Sequence, residues 1–465
     1  MSARIRAQDV ATWTGGALRQ GSPAAEIQGV SIDTRTLAAG ELFVAIAGPR
    51  HDAHGFLAKA AAVGAGGFVI QRGRPLPAEV KPELPVIEVA DTTHALGALA
   101  AGHRALFRGP VVAITGSNGK TTTKEMCAAI LGQAAPCLKT QGNLNNEFGV
   151  PLTLLRRSEA DRSIVVEIGM NHRGEIAPLA AIARPSVGVV TNVGSAHVEH
   201  LGSREAIALE KGDLLAALPA DGAAVIPADD PFGLARRTRA GIVRFGRGAG
   251  ADVRAEQVRE LESGGFAFQL VTPAGGVAAR VAGLSQATLD NALAAAAAAQ
   301  AAGAPLGDLA AGLARYQPAH GRLERIDLAA GVVLIDDTYN ANPQSMDVAL
   351  RMLASRRGGG RGIAVLGEMG ELGAAADDAH REVGRLVASL GLDRLFALGA
   401  RAERFAEGAA AAGMPAERIA LARDHDELAE RVARELAPHD WVLVKGSRSA
   451  RMERVVERLA AQKKD

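Results

Sequence analysis

Thr115-Gly116-Ser117-Asn118-Gly119-Lys120-Thr121 is the segment of this 465-residue sequence whose residue types most directly imply chemistry. Glycines let a backbone curl closely around an anion, a lysine adds fixed positive charge, and a neighbouring hydroxyl can bind Mg²⁺. The apolar run Val111–Ile114 precedes the segment and a helical pattern, Thr122–Leu131, follows it. Such a loop delivers backbone N–H groups to phosphates at a helix N-terminus. The chemistry this implies is triphosphate binding, with Lys120 on the β- and γ-phosphates and Thr121 at the metal. Thr115 to Thr122 together form the candidate ATP-binding stretch. The spacing is the short form G-x-x-G-K-T, because Ile114 stands where the first glycine of the longer form would be. A glycine-rich turn with a chance Lys-Thr is the alternative. The ordered series of strand, loop, lysine, hydroxyl and helix argues against it.

Glu167 closes another apolar run, Ser163–Ile168, and in a parallel sheet it would face the same edge as the phosphate loop. A carboxylate there suits Mg²⁺, a hard ion that prefers oxygen. Asn171 and His172 follow in the same loop and could touch substrate. The next run ends at Thr191-Asn192-Val193-Gly194-Ser195-Ala196-His197. His197 is on the expected active edge, but imidazole is an unusual Mg²⁺ ligand, so its residue type alone points to packing or hydrogen bonding. Lys211, taken alone, reads as a solvated helix lysine.

The elements that must position these groups follow from periodicity. Residues 1–89 alternate short apolar runs with turn signals and read as a small N-terminal α/β domain. Residues 90–318 alternate strand and helix patterns, as in a parallel sheet covered on both faces. Gly264-Gly265 and Gly275-Gly276 there suggest appended antiparallel hairpins, and an alanine-rich helix from about Ser285 to Ala302 closes the unit. Residues 319–465 repeat the alternation as a third, Rossmann-like α/β domain. Composition agrees with a folded chain, at 48% hydrophobic and 22% charged. Lys plus Arg number 52 and Asp plus Glu 51, which argues against a nucleic-acid track. Only 3% of residues are aromatic, so base-stacking platforms are not expected either. Cys127 and Cys137 cannot build a disulfide framework. No signal-like or membrane-spanning segment is apparent, so the expectation is a soluble cytoplasmic protein without membrane insertion.

The order of the motifs resembles that of the Mur ligases, ATP-dependent amide-forming enzymes of peptidoglycan precursor synthesis. The residues that carry the resemblance are Thr115–Lys124 (TGSNGKTTTK), Glu167–Asn171 (EIGMN), Thr191–His197 (TNVGSAH), Lys211, Asn291–Ala294 (NALA), Gly321–Glu324 (GRLE) and Asp336–Pro343 (DDTYNANP). These motifs fall in the second and third predicted domains, and the resemblance covers the whole chain in three domains. Asp33-Thr34-Arg35, Gly142-Asn143-Leu144-Asn145-Asn146 and Leu366-Gly367-Glu368-Met369-Gly370-Glu371-Leu372 point within the family to the joining of D-alanyl-D-alanine to UDP-N-acetylmuramoyl-tripeptide. The Asp-Asn-Pro-Arg-like motif expected of the sibling that adds the third residue is not found.

The resemblance implies roles that residue types alone would not. Thr121, Glu167 and His197 match the magnesium ligands, and Lys211 matches a lysine that several members carbamylate, which would allow a second Mg²⁺. Asn291 matches an adenine contact, and Arg322 an arginine reaching the γ-phosphate from the third domain. Asp337 matches a ribose contact, with Tyr339 and Asn340 beside the nucleotide. Ser31, Asp33, Thr34 and Arg35 match the uridine-nucleotide region. Asn143, Asn145 and Asn146 would contact the muramoyl-peptide arm, unless they form only a turn. Lys445-Gly446-Ser447-Arg448 could help bind the dipeptide, or be a surface turn. The implied reaction passes through an acyl phosphate, catalysed by Lys120, Lys211, His197 and Arg322 in a monomer whose domains close. The rivals are a related ligase, such as folylpolyglutamate synthase or the tripeptide-forming Mur ligase, and a nucleotide-dependent binding module.

Overall fold

The computed structural model describes residues 4–461 except 49–50, 195–197, 233–234 and 263. Besides a two-stranded antiparallel pair, Ile5–Arg6 with Glu26–Ile27, three larger sheets follow one another along the chain and are numbered in that order. The first has strand order Ala17–Gln20, Val86–Val89, Gly67–Gln71, Leu42–Val44, Val30–Ser31. It is parallel except for its first pair.

The second sheet has nine strands, ordered Gly275–Val281, Phe266–Thr272, Val253–Glu260, Gly241–Gly246, Ala223–Pro227, Val187–Val190, Val111–Thr115, Ser163–Glu167, Cys137–Lys139. The seven from Val253–Glu260 onward are parallel, and the first two are antiparallel additions. Val111–Thr115, Ser163–Glu167 and Val187–Val190 are wholly buried, which explains why they read as continuous apolar runs. Val111–Thr115 lies between the other two, where the strand order reverses. The carboxyl ends of these strands therefore flank a crevice at a topological switch point. The alanine-rich helix Gln286–Ala301 packs on the helix Lys120–Leu131 behind that crevice. Ala292 to Ala299 are almost fully buried, because methyl side chains allow close backbone approach where larger ones would not fit.

The third sheet is ordered Glu324–Asp327, Val333–Asp337, Trp441–Lys445, Gly362–Gly367, Arg394–Leu398, Ile419–Ala422, parallel after its first pair. It has apolar clusters on both faces. The antiparallel additions to the second sheet match the sequence reading. Gly241–Gly246, Glu324–Asp327 and Ile419–Ala422 are further strands. Glu324–Asp327 (ERID) is half-buried and lacks the apolar run that marks a buried strand, whereas Ile419–Ala422 (IALA) is apolar but only four residues long, too short for periodicity to tell strand from helix. The two cysteines are free thiols. No helix among the described residues is long and apolar enough to cross a membrane.

Candidate active site

The phosphate loop turns sharply from Val111–Thr115 into the helix Lys120–Leu131. Gly119 has φ +80°, and a Cβ there would lie 2.2 Å from Asn291 Oδ1. Both the backbone conformation and the close approach of the alanine-rich helix therefore require glycine. Lys120 Nζ donates to the carbonyls of Gly116 (2.8 Å) and Ser117 (3.5 Å), folding back over its own loop. Burial pushes its amine below the usual lysine range; Glu167 opposes that shift and Arg322 adds to it.

Thr121 and Glu167 meet at the ends of neighbouring elements. Thr121 Oγ1 donates to Glu167 Oε2 at 2.8 Å, and Asn145 Nδ2 donates to Glu167 Oε1 at 2.8 Å. Glu167 is only 3% exposed, so both carboxylate oxygens are fixed by protein partners. Hard oxygen donors facing phosphate-binding groups are a fitting donor set for Mg²⁺. His197, the other expected ligand, lies outside the described residues.

The third sheet supplies the facing wall. Arg322 Nη2 donates to Thr121 Oγ1 at 2.8 Å, and its guanidinium carbon lies 3.8 Å from the centroid of the Tyr339 ring. Asp337 Oδ1 accepts from Leu323 N (3.1 Å), holding a residue with φ +52° next to Arg322. Asp337 Oδ2 pairs with Lys445 Nζ at 2.6 Å, and Lys445 also donates to Asn340 O. Asn118 joins the two walls. Its Nδ2 donates to Gln344 Oε1 (3.0 Å) and its Oδ1 accepts from Asn342 Nδ2 (2.9 Å).

A cleft of about 1080 Å³ opens between these walls. Ser117 to Thr122, Asn145, Asn146, Glu167, Asn291, Arg322, Asp337, Tyr339 and Asn340 all line it. Thr115 and Gly116 are not among the lining residues; Thr115 is fully buried in its strand. Asn171 lines the cleft, whereas His172 is exposed and bonded to Glu175.

Other expected residues are elsewhere or otherwise engaged. Asn143 is exposed and away from the lining. Asn146 Oδ1 accepts from Phe148 N and Gly149 N at the start of a short helix. Ser31, Asp33, Thr34 and Arg35 lie on the first sheet's margin, outside the cleft. Asp33 and Arg35 form a bidentate pair, and that guanidinium holds the Asp33 carboxyl down at about 2.

Lys211 departs from the solvated lysine that its residue type suggested. It is 1% exposed, and burial, reinforced by the charge of Lys120, pushes its amine well below the usual range. The signal was available in the spacing Ile207, Lys211, Leu214, which puts Lys211 on the buried stripe of the helix Arg204–Ala216. Lys445 likewise departs from the surface-turn alternative, being buried against Asp337. Asn342 and Gln344 had no assigned role. Asn342-Pro343 does carry a helix-start signature, and its residue caps Pro343–Arg356. Nothing local reveals that this cap also reaches the phosphate loop.

A phosphate loop, a carboxylate at the neighbouring strand end and an arginine delivered from a second α/β unit are the parts of an ATP-dependent phosphoryl-transfer site. Family models match the chain at residues 26–104 (Mur ligase family, catalytic domain), 114–299 (Mur ligase middle domain) and 321–448 (Mur ligase, glutamate ligase domain). The chain belongs to the Mur ligase family. It is 39% identical over 437 residues to the UDP-N-acetylmuramoyl-tripeptide–D-alanyl-D-alanine ligase of Escherichia coli (strain K12), covering 93% of this chain and 94% of that one. A crystal structure of MurF from Acinetobacter baumannii superposes with a TM-score of 0.89 at 36% identity, covering 99% of both chains. MurF ligase from Thermotoga maritima, solved in complex with ADP, gives a TM-score of 0.80 at 29% identity, covering 93% of this chain and 97% of that one.

Proposed function

We propose that this chain uses ATP to join D-alanyl-D-alanine to the terminal carboxylate of UDP-N-acetylmuramoyl-tripeptide, forming the pentapeptide precursor of peptidoglycan. The observation that carries this reading is the Arg322–Thr121 contact, which brings a cation from the third sheet onto the phosphate loop. The substrate assignment draws on the near full-length likeness to ligases named for that reaction.

In this reading the tripeptide carboxylate attacks the γ-phosphorus of ATP, ADP leaves, and an acyl phosphate forms. The amine of D-alanyl-D-alanine then attacks the acyl carbon, loses a proton and expels phosphate through a tetrahedral intermediate. Lys120 exchanges its loop carbonyls for β- and γ-phosphate oxygens, and Arg322, backed by Tyr339, stabilises charge on the transferred group. Thr121, Glu167 and His197 would hold Mg²⁺, which supplies further charge neutralisation. Asn291 contacts adenine, and Asp337, Tyr339 and Asn340 flank the ribose. Ser31, Asp33, Thr34 and Arg35 take the uridine nucleotide, and Asn143, Asn145 and Asn146 the muramoyl-peptide arm. The loop Lys445-Gly446-Ser447-Arg448, whose Ser447 and Arg448 line the cleft, helps bind the dipeptide. No enzyme nucleophile is required, since positioning and electrostatics supply the catalysis.

Lys211 is assigned a carbamate. A neutral amine is the form that adds carbon dioxide, and burial favours it. The carbamate would be an anion able to hold a second Mg²⁺. Wild-type activity should then rise with bicarbonate, and the residual activity of Lys211→Ala should not; equal responses contradict the assignment. The enzyme acts as a cytoplasmic monomer. The substrate assignment is tested by phosphate release with D-alanyl-D-alanine, diaminopimelate or glutamate as the amine. Release should require D-alanyl-D-alanine, and preference for another amine would move the chain to a sibling activity.

A further inference from the structure

Successive residues of a strand project to opposite faces, so Asp336 projects away from the face that carries Asp337. Asp336 pairs in register with Glu324 on the neighbouring antiparallel strand. Its side chain is completely buried. Oδ1 accepts from Thr338 N (3.0 Å) and Thr338 Oγ1 (2.6 Å). Oδ2 has no hydrogen-bond partner among the described residues and lies 3.7 Å from His320 Nδ1. His320 Nδ1 is in turn 2.8 Å from Glu324 Oε2. One atom from each of the three residues falls within 4.8 Å of the others. Glu457, on the C-terminal helix Glu453–Ala461, adds further negative potential at His320.

A buried carboxylate oxygen without a donor is costly, and such an orphan calls for an explanation. The donor set distinguishes among cations. Carboxylates alone would suit Mg²⁺ or Ca²⁺, whereas an imidazole nitrogen with two carboxylate oxygens suits Zn²⁺ and its neighbours. His320 is exposed on its outer side, which gives an ion a path inward.

We propose that His320, Glu324 and Asp336 form a Zn²⁺-type divalent site at the root of the loop that carries Arg322, on the face of the sheet opposite Asp337. Its place in the fold gives it a structural role. It fastens residues 320–324 to the strand Val333–Asp337, fixing the base from which Arg322 reaches the phosphate loop. The site is separate from the Mg²⁺ position at Thr121 and Glu167 and does not depend on which amine the enzyme uses.

The test is Zn²⁺ binding to the full-length enzyme after chelator treatment, with excess Mg²⁺ present. Calorimetric titration and elemental analysis after gel filtration are the readouts. One Zn²⁺ per chain is expected, with affinity weakened about tenfold or more in both His320→Ala and Glu324→Gln. Both side chains are partly exposed, so without zinc these variants should keep the melting curve and phosphate release of the zinc-free wild type. Asp336→Asn should also lose the ion, but the two outer variants decide the matter if it fails to fold. Unchanged Zn²⁺ affinity in both outer variants, or no binding to the wild type in the micromolar range, would overturn the proposal.

Discussion

The two walls of the cleft are built in different ways. On the central-sheet wall, functional groups are held by near neighbours in the same sheet and loop. Lys120 rests on Gly116, and Thr121, Glu167 and Asn145 form one chain of hydrogen bonds. On the third-sheet wall, Arg322, Asn342 and Gln344 find their cleft partners 201 to 226 residues away along the chain. The first wall exists whenever its own sheet is folded. The second becomes part of the site only when the third sheet stands against the first wall. Affinity for phosphate can therefore reside in one unit while the full charge array depends on the approach of another, which is the logic of closure before chemistry.

Substitutions on the two walls should separate these contributions. The largest effect is expected from Lys120→Ala, which should abolish phosphate release while leaving the fold intact; wild-type-like turnover would sink the nucleotide assignment. Arg322→Ala should lower kcat by roughly 10²–10³-fold, the usual cost of removing one preorganised group from a developing charge. Because it comes from the opposite wall, ATP binding measured without turnover should change far less; parallel losses in both would argue that the walls act as one rigid unit.

Asp337→Ala sharpens the comparison in a different way. It should raise the KM for ATP by about tenfold, or about 1.4 kcal/mol. It should also lower the melting temperature, because Lys445 is 2% exposed and would lose its partner. Breaking a buried pair in this way costs roughly 3–5 kcal/mol, less whatever deprotonation of the lysine recovers. An unchanged apparent ATP affinity would count against the ribose role and leave only the structural one.

The smallest effect on stability should come from the Asp33–Arg35 pair, which is largely exposed and outside the cleft. The Asp33 carboxyl is lowered from 3.8 to about 2 in the folded chain. Its stabilisation is therefore present above pH 3.8 and lost as the pH falls toward about 2. The difference in melting temperature between the wild type and Asp33→Asn should be slight at neutral pH and shrink through that window. A difference that grows on acidification would contradict the assignment of the shift to this pair.

Legibility in the sequence followed the same division. The central wall was readable because its chemistry is contiguous, with the glycines, Lys120 and Thr121 in one strand–loop–helix run. Glu167 was readable because a buried parallel strand advertises its own end. Arg322, Asp337 and Asn291 were assigned through family resemblance alone, since an isolated arginine, strand-end aspartate or helix asparagine has an ordinary structural explanation. The reach of Asn342 and Gln344 to Asn118 had no local signature, because it arises from packing between sheets distant in sequence. Lys211 shows a third situation. Its chemistry is set by burial, and the helical stripe that buries it was legible but outweighed by the usual preference of lysine for solvent.

The most direct test of the assigned reaction is mass spectrometry of the product, with phosphate counted in parallel. Purified enzyme would be given UDP-N-acetylmuramoyl-tripeptide, D-alanyl-D-alanine, ATP and Mg²⁺. The expected result is a UDP-N-acetylmuramoyl-pentapeptide, with one phosphate released per amide bond formed. Phosphate release without that product, or product formed without ATP consumption, would contradict the account.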